Sequence, residues 1–374
     1  MKRALIILVA LALAASLRPA PRTAGSSAGP APQLLGGFNG LMASYIWLHA
    51  SRRADAGQPY ELVRAARWVS ALQPGLGSLY DFQAWNLAVN VADTFGAPAE
   101  RWPWVEAGLN LLYDEGLARR GDDPRVPGAL ASLLLDRVCG GQGDAAEYYR
   151  QAFAARWWPL VGAPPTRWDT AKGLARYRMD PRQCAELDRA LGPLDWRTGW
   201  PHALYWARRA ALAEPSARRA RPLWELQIEA LRGACLDGKI ISQPGQPVFV
   251  SVPQPELAAR VNELYAEALQ RLPEDAGLRA GRRHWSDEAA PLLAAYGQPQ
   301  DDAAVRRGVA LMTGSDQALA QSVAESYAVR GLLCGSLGQR EPERGLLALA
   351  RTVAEVSGLA WEPIEQAART AAAR

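Results

Sequence analysis

Proline and glycine interrupt this chain at intervals of about 10 to 25 residues, and between them apolar residues recur at spacings of three and four. That spacing marks one face of an α-helix, and each Pro or Gly limits how far the helix can run. The chain is therefore confined to short helices joined by turns. From Pro59, whose missing N–H is harmless in a first turn, Leu62, Ala66, Val69 and Leu72 form one stripe that Pro74 stops. Ser78 is placed to cap the next helix, with the stripe Phe82, Trp85, Val89 and Ala92. A third runs from about Ala99 to Ala118 through Trp102, Val105, Leu109 and Leu112, and stops at Gly121-Asp122-Asp123-Pro124. Pro127 to Cys139 forms a fourth, and after the break Gly140 to Gly143 a capped helix opens at Asp144.

This alternation predicts an all-α fold of antiparallel helix pairs in a tetratricopeptide-like, α-solenoid array. The segment DAAEYYRQAF (144–153) has the small and aromatic residues of a tetratricopeptide second helix, but the usual period of about 34 residues is not kept. Residues 34–155 are thus expected to hold degenerate helix pairs. Residues 156–374 are expected to form a helical C-terminal region, with helices at Thr198 to Glu214 and Pro215 to Leu236. One small β-hairpin insertion is expected near 239–251, where Lys239-Ile240-Ile241 and Val248-Phe249-Val250 flank a Pro- and Gly-containing turn. It serves either as an edge for a partner or as a cover over a helix end. Helices then resume at Gln254, with breaks near Pro273, Gly297, Gly314 and Gly338.

The N-terminus places the chain relative to a membrane. Lys2 and Arg3 precede a charge-free apolar run, Ala4 to Leu17, closed by Arg18. At about 1.5 Å per residue it spans roughly 21 Å, short of a hydrocarbon core of about 30 Å. Residues 1–18 read as a signal peptide, with Ala12-Leu13-Ala14 as a cleavage site, or as an anchor whose flanking arginines snorkel. Residues 19–33, rich in Pro, Ala, Gly and Ser, resemble a tether and tilt the reading toward the anchor. Both readings place the bulk of the chain on the extracytoplasmic (periplasmic) side of the inner membrane, with secretion after cleavage as the alternative.

Composition excludes several classes. With 49% hydrophobic and 21% charged residues, the 374-residue chain is neither collagenous, disordered nor a polytopic membrane protein. Its net charge of +4, from interspersed basic and acidic residues, argues against a nucleic-acid-binding face. Three His (His49, His202, His284) and four Cys (Cys139, Cys184, Cys235, Cys334) show no metal-ligand spacing, so no metal and no cofactor is expected. The cysteines sit among small apolar residues, where buried free thiols are commoner than disulfides. No nucleophile elbow, Walker loop or dinucleotide fingerprint is present, and no enzyme is expected. Asp81, Asp93, Glu106, Asp114 and Glu115 lie among Trp85, Trp102 and Trp104, a composition that also suits sugar binding or, less well, glycoside hydrolysis.

Two groups of residues stand out as candidate sites. Tyr45, His49, Arg52, Gln83, Asn86 and Asn90 fall off the apolar stripes of helices expected on a concave wall. Asn86 and Asn90, one turn apart, either clamp an extended peptide or bridge to a neighbouring helix. Asp195, Arg197 and His202 form the densest polar-aromatic cluster, and either bind an anion or serve as a cap, an ion pair and a gap filler.

LGGFNGLMASYIWLHA (35–50), YELVRAARWVSALQP (60–74), FQAWNLAVNV (82–91) and RWPWVEAGLNLLYDEGL (101–117), with GPLDWR (192–197) and HALYWA (202–207), resemble a bacterial family of uncharacterised, membrane-anchored, repeat-containing proteins. The resemblance implies an N-terminal hydrophobic segment and a tetratricopeptide-like body, and carries no activity with it. The reading that follows is a membrane-tethered helical scaffold for a protein or peptide partner. A cell-wall or glycan-binding protein is the alternative, and a helical hydrolase the third class.

Overall fold

Small residues decide how the first helices meet. Helix α1 (Gly77–Trp85) widens into a π-helical turn, Asn86–Val91, and α2 (Pro98–Leu111) packs against both. A Cβ on Gly108 of α2 would lie 2.6 Å from the Ala84 carbonyl oxygen and 2.9 Å from the Ala88 Cβ, so the two backbones cross almost in contact. The buried stripe of α1 is consequently Tyr80, Ala84, Leu87, Ala88 and Val91. This corrects the expected stripe: Phe82 is 50% and Trp85 37% exposed, because bulky rings do not fit so close a crossing. Ser78 lies within α1.

The structure, a computed structural model, describes Tyr45 and residues 77–374 apart from 141–143, 169–172, 243–248, 315 and 374. The chain divides into two compact units, Met1–Gln73 and Pro74–Arg374, and every element named here belongs to the second. After α2 come α3 (Arg125–Leu133), α4 (Asp144–Val161), α5 (Pro181–Leu191), α6 (Gly199–Ala213) and α7 (Ala217–Asp237). The hairpin strands β1 (Lys239–Ser242) and β2 (Phe249–Val252) follow, antiparallel, with Ile240 opposite Ser251 and Ile241 opposite Val250. Then α8 (Ala258–Arg271), α9 (Ala276–Ala295), α10 (Asp302–Thr313), α11 (Gln317–Ser336), α12 (Arg340–Val356) and α13 (Trp361–Ala372) complete a mostly helical fold with one small sheet.

Helix α6 is the centre of the core. Pro201, His202, the run Ala203 to Ala207 and Ala210 are all buried, so this helix is covered on nearly every side, chiefly by α3 and α7. Consecutive helices α6 to α10 pack each on the next, and α11 packs on α12 and α13. Asp180, Asp275, Asp301 and Asp316 cap α5, α9, α10 and α11 by accepting backbone N–H groups of the first turn, for example Leu278 N–H on Asp275 at 2.8 Å. The expected breaks at Gly297, Gly314 and Gly338 are helix ends at which the glycine takes a positive φ. Among the described residues no helix is long and apolar enough to cross a membrane, and residues 4–17 lie outside them.

Candidate functional site

Asp195 and Arg197 meet as a pair. Both are buried, at 1% and 4% exposure. Arg197 Nε and Nη2 donate to the two Asp195 oxygens at 2.8 and 2.6 Å, and the guanidinium lies 4.4 Å from the Trp158 ring. The pair then takes both outward backbone groups of Ile240. The Ile240 N–H donates to Asp195 Oδ2 at 2.9 Å, and Arg197 Nη2 donates to the Ile240 carbonyl at 2.7 Å. On the other strand, Arg330 Nε donates to the Ser251 carbonyl at 2.8 Å, and the same guanidinium pairs with Asp237. Arg150 reaches Asp237 as well, at 2.9 Å, tying α4 to the end of α7. Side chains of the same chain thus take both outward backbone groups of Ile240 and the outward carbonyl of Ser251, which leaves those groups engaged within the chain.

His202 does not join that pair. Its ring is fully buried, 4.0 Å from the Trp157 ring centre and 5.1 Å from that of Phe153, and Nε2 lies 2.9 Å from the Trp196 carbonyl oxygen. A carbonyl only accepts, so Nε2 carries the proton and Nδ1 is bare, without a hydrogen bond among the described residues. Burial, opposed by the hydrogen bond to Trp196, pushes the imidazole down to about 4, and the ring is neutral at pH 7.

The expected concave-wall residues are corrected in part. Gln83 is fully buried and Asn86 is 7% exposed, because positions 83 and 86 fall on the same helix face as Tyr80, Ala84 and Leu87. Asn90 donates to Asn86 Oδ1 at 2.9 Å, so one hydrogen bond joins the two amides along their own helix. Tyr45 is exposed on helical backbone in the other unit, and His49 and Arg52 lie outside the described residues. Two of the carboxylates near the tryptophans tie separate segments together: Asp93 holds Arg137 at 2.8 Å, and Glu106 holds Arg156. All four cysteines are free and buried, and no metal-binding group of side chains occurs among the described residues.

The sequence reading missed a groove. An open cleft of about 500 Å³ lies between α7, α8 and α9, with Trp200 at the start of α6 forming one wall. The Trp200 ring rests directly on Gly233, where a Cβ would come 2.1 Å from Cζ3. Tyr265 sits behind, its hydroxyl 3.0 Å from where a Cβ on Gly281 would stand. Three carboxylates line the cleft. Glu225 pairs with Arg221 at 3.0 Å and Glu288 with Arg232, whereas Glu229 makes no ion pair or hydrogen bond among the described residues. Desolvation by the groove walls holds the Glu229 carboxyl above its ordinary range against the pull of Arg232, and Asp136 adds to the rise. The signals in the sequence were Glu225 and Glu229 one turn apart on α7, and glycines inside α7 and α9 where alanine would make the better helix.

Comparison with known protein families, with curated proteins and with solved structures finds no match to this chain.

Proposed function

We propose that this protein is a helical scaffold that holds a protein or peptide partner, tethered at the extracytoplasmic face of the inner membrane by its N-terminal apolar segment. The observation that carries the reading is the cleft beside Trp200. An aromatic wall, glycine-thinned helices and an unpaired Glu229 form a concave surface in which three carboxylates outnumber one arginine. Such a surface suits a peptide that brings a Lys or Arg side chain to Glu229 and lays its stem along the Trp200 ring. Neighbour-on-neighbour packing from α6 to α10 supports a helix-pair array of the tetratricopeptide class, as the sequence resemblance implies. No catalytic arrangement enters this reading.

The Trp200 ring beside carboxylates also supports the second reading, a glycan-binding protein, since sugar faces stack on tryptophan while carboxylates accept their hydroxyls. Crosslinking in intact cells separates the two. A protein adduct of the full-length chain that disappears in Trp200→Ala and Glu229→Gln supports the peptide reading. Enrichment of wall fragments that depends on the same residues replaces it with the glycan reading, and an adduct pattern unchanged by both substitutions rejects the cleft.

A further inference from the structure

The opposite flank of α9 carries a second groove of opposite charge, about 640 Å³ in volume, between α8 and α9. Arg279, Arg282, Arg283 and Ser286 line it from α9, and Asn262 and Leu269 face them from α8. The α9 residues are spaced i, i+3, i+4 and i+7, which puts all four on one side of the helix. No carboxylate lines the groove. Arg279 is fixed by donating to the carbonyls of Pro273 at 2.8 Å and Glu274 at 3.2 Å. Arg282 and Arg283 are exposed and make no ion pair or hydrogen bond among the described residues.

Some arginines on other helices are paired with a carboxylate, whereas Arg218, Arg306 and Arg344 are exposed and, like Arg282 and Arg283, make no ion pair among the described residues. Arg221 has Glu225, Arg260 has Glu263 and Arg369 has Glu365, each within one helical turn. On α9 Arg279 lies one turn from both Arg282 and Arg283, and like charges at that spacing destabilise a helix, while Asp287, one turn beyond Arg283, is held by Arg307. An anion set among the α9 arginines removes the repulsion.

We infer that this groove binds an acidic peptide segment, with carboxylates of the segment engaging Arg282 and Arg283. The guanidinium fork matches a carboxylate in two parallel hydrogen bonds. The rest of the lining favours a peptide over the other polyanion in reach, a membrane surface of anionic lipid. The Asn262 amide both donates and accepts, as a peptide group requires, and Leu269 offers an apolar seat between the charged positions. The site is moreover a groove between two helices, whereas a lipid surface is met by a convex or flat face. The inference takes the protein-partner reading as its ground for choosing a peptide, but it uses different residues from the Trp200 cleft.

The test uses the full-length chain and fluorescence anisotropy of two labelled 12-residue probes, one alternating Glu and Leu with Gly and one alternating Lys and Leu with Gly. The acidic probe is expected to bind saturably and to weaken steeply with added salt. Arg282→Gln with Arg283→Gln is expected to weaken it at least tenfold, with the helical circular dichroism signal unchanged; if the double variant unfolds, Arg283→Gln alone is expected to weaken it measurably. Trp200→Ala should leave acidic-probe binding as it was, so loss of the lysine probe in that variant reports on the other cleft alone. Acidic-probe binding that is absent, or equal in wild type and the folded arginine variants, overturns the inference. So does an arginine-dependent adhesion to phosphatidylglycerol vesicles with no probe binding, which would assign the groove to lipid.

Discussion

The guanidinium of Arg197 stands 2.7 Å from the backbone carbonyl of Ile240, a residue 43 positions further along the chain. Asp195 orients that guanidinium and takes the N–H of the same residue, so a two-residue turn before α6 holds β1 by its backbone. Replacing Asp195 with Ala leaves a buried cation without its counter-charge and an amide without its acceptor. The expected loss is about 3–5 kcal/mol in urea unfolding. A loss below about 1 kcal/mol would mean that water or a rearranged side chain replaces the carboxylate and that the turn does not hold the hairpin.

The contact between Trp200 and Gly233 makes a prediction whose sign depends on background. In the native chain Gly233→Ala drives a methyl into the ring and should destabilise by about 1–3 kcal/mol. In Trp200→Ala the obstacle is gone. There the same change should be neutral or stabilising by up to about 1 kcal/mol, because alanine is the better helix former. Thermal unfolding of the four proteins measures it, and equal effects in both backgrounds would show that the ring does not rest on this glycine.

The periodicity of three and four, with its Pro and Gly stops, was enough to place α2, α3, α6, α7 and the hairpin close to where they fold, because those signals act within one element. The inward face of α1 was not legible. Phe82 and Trp85 are the larger and more apolar side chains, yet the approach of Gly108 selects Ala84 and Ala88 for the interface, and that selection depends on a partner helix. Gln83 and Asn86 were carried inside by the same shift. Asp195 and Arg197 were found as a pair because they are two residues apart, but their target, Ile240, became visible only once β1 was in place. The Trp200 cleft is assembled from α6, α7, α8 and α9, so no local pattern announces it.

Four free buried thiols follow from the packing of Cys139, Cys184, Cys235 and Cys334. Burial raises each thiol above its ordinary range, and the thiolate is the species that reacts. Ellman's reagent should therefore read close to four thiols per chain in guanidinium without reductant, and almost none over minutes under native conditions. Fewer than four in denaturant would reveal a disulfide, and rapid native labelling would contradict the burial.

Acid should weaken the fold through His202. In the unfolded chain its imidazole titrates near 6.5, and in the native protein near 4, so between those values the unfolded state binds the extra proton. The stabilisation from keeping His202 neutral is complete above pH 6.5 and is lost progressively as the pH falls to 4. The difference amounts to about 3 kcal/mol at about 1.4 kcal/mol per pH unit. The cause lies in the geometry: a second proton would have to sit on Nδ1, which has no acceptor among the described residues, on a ring packed against Phe153 and Trp157. His202→Phe keeps an aromatic ring but leaves the Trp196 carbonyl unpaired, so at pH 7 it should cost about 1–3 kcal/mol. It should also flatten the fall in urea midpoint between pH 6.5 and 4 relative to wild type. If the variant and the wild type lose stability in parallel over that range, His202 is not the group that acid attacks, and the neutral tautomer bound to Trp196 is the wrong description of this core.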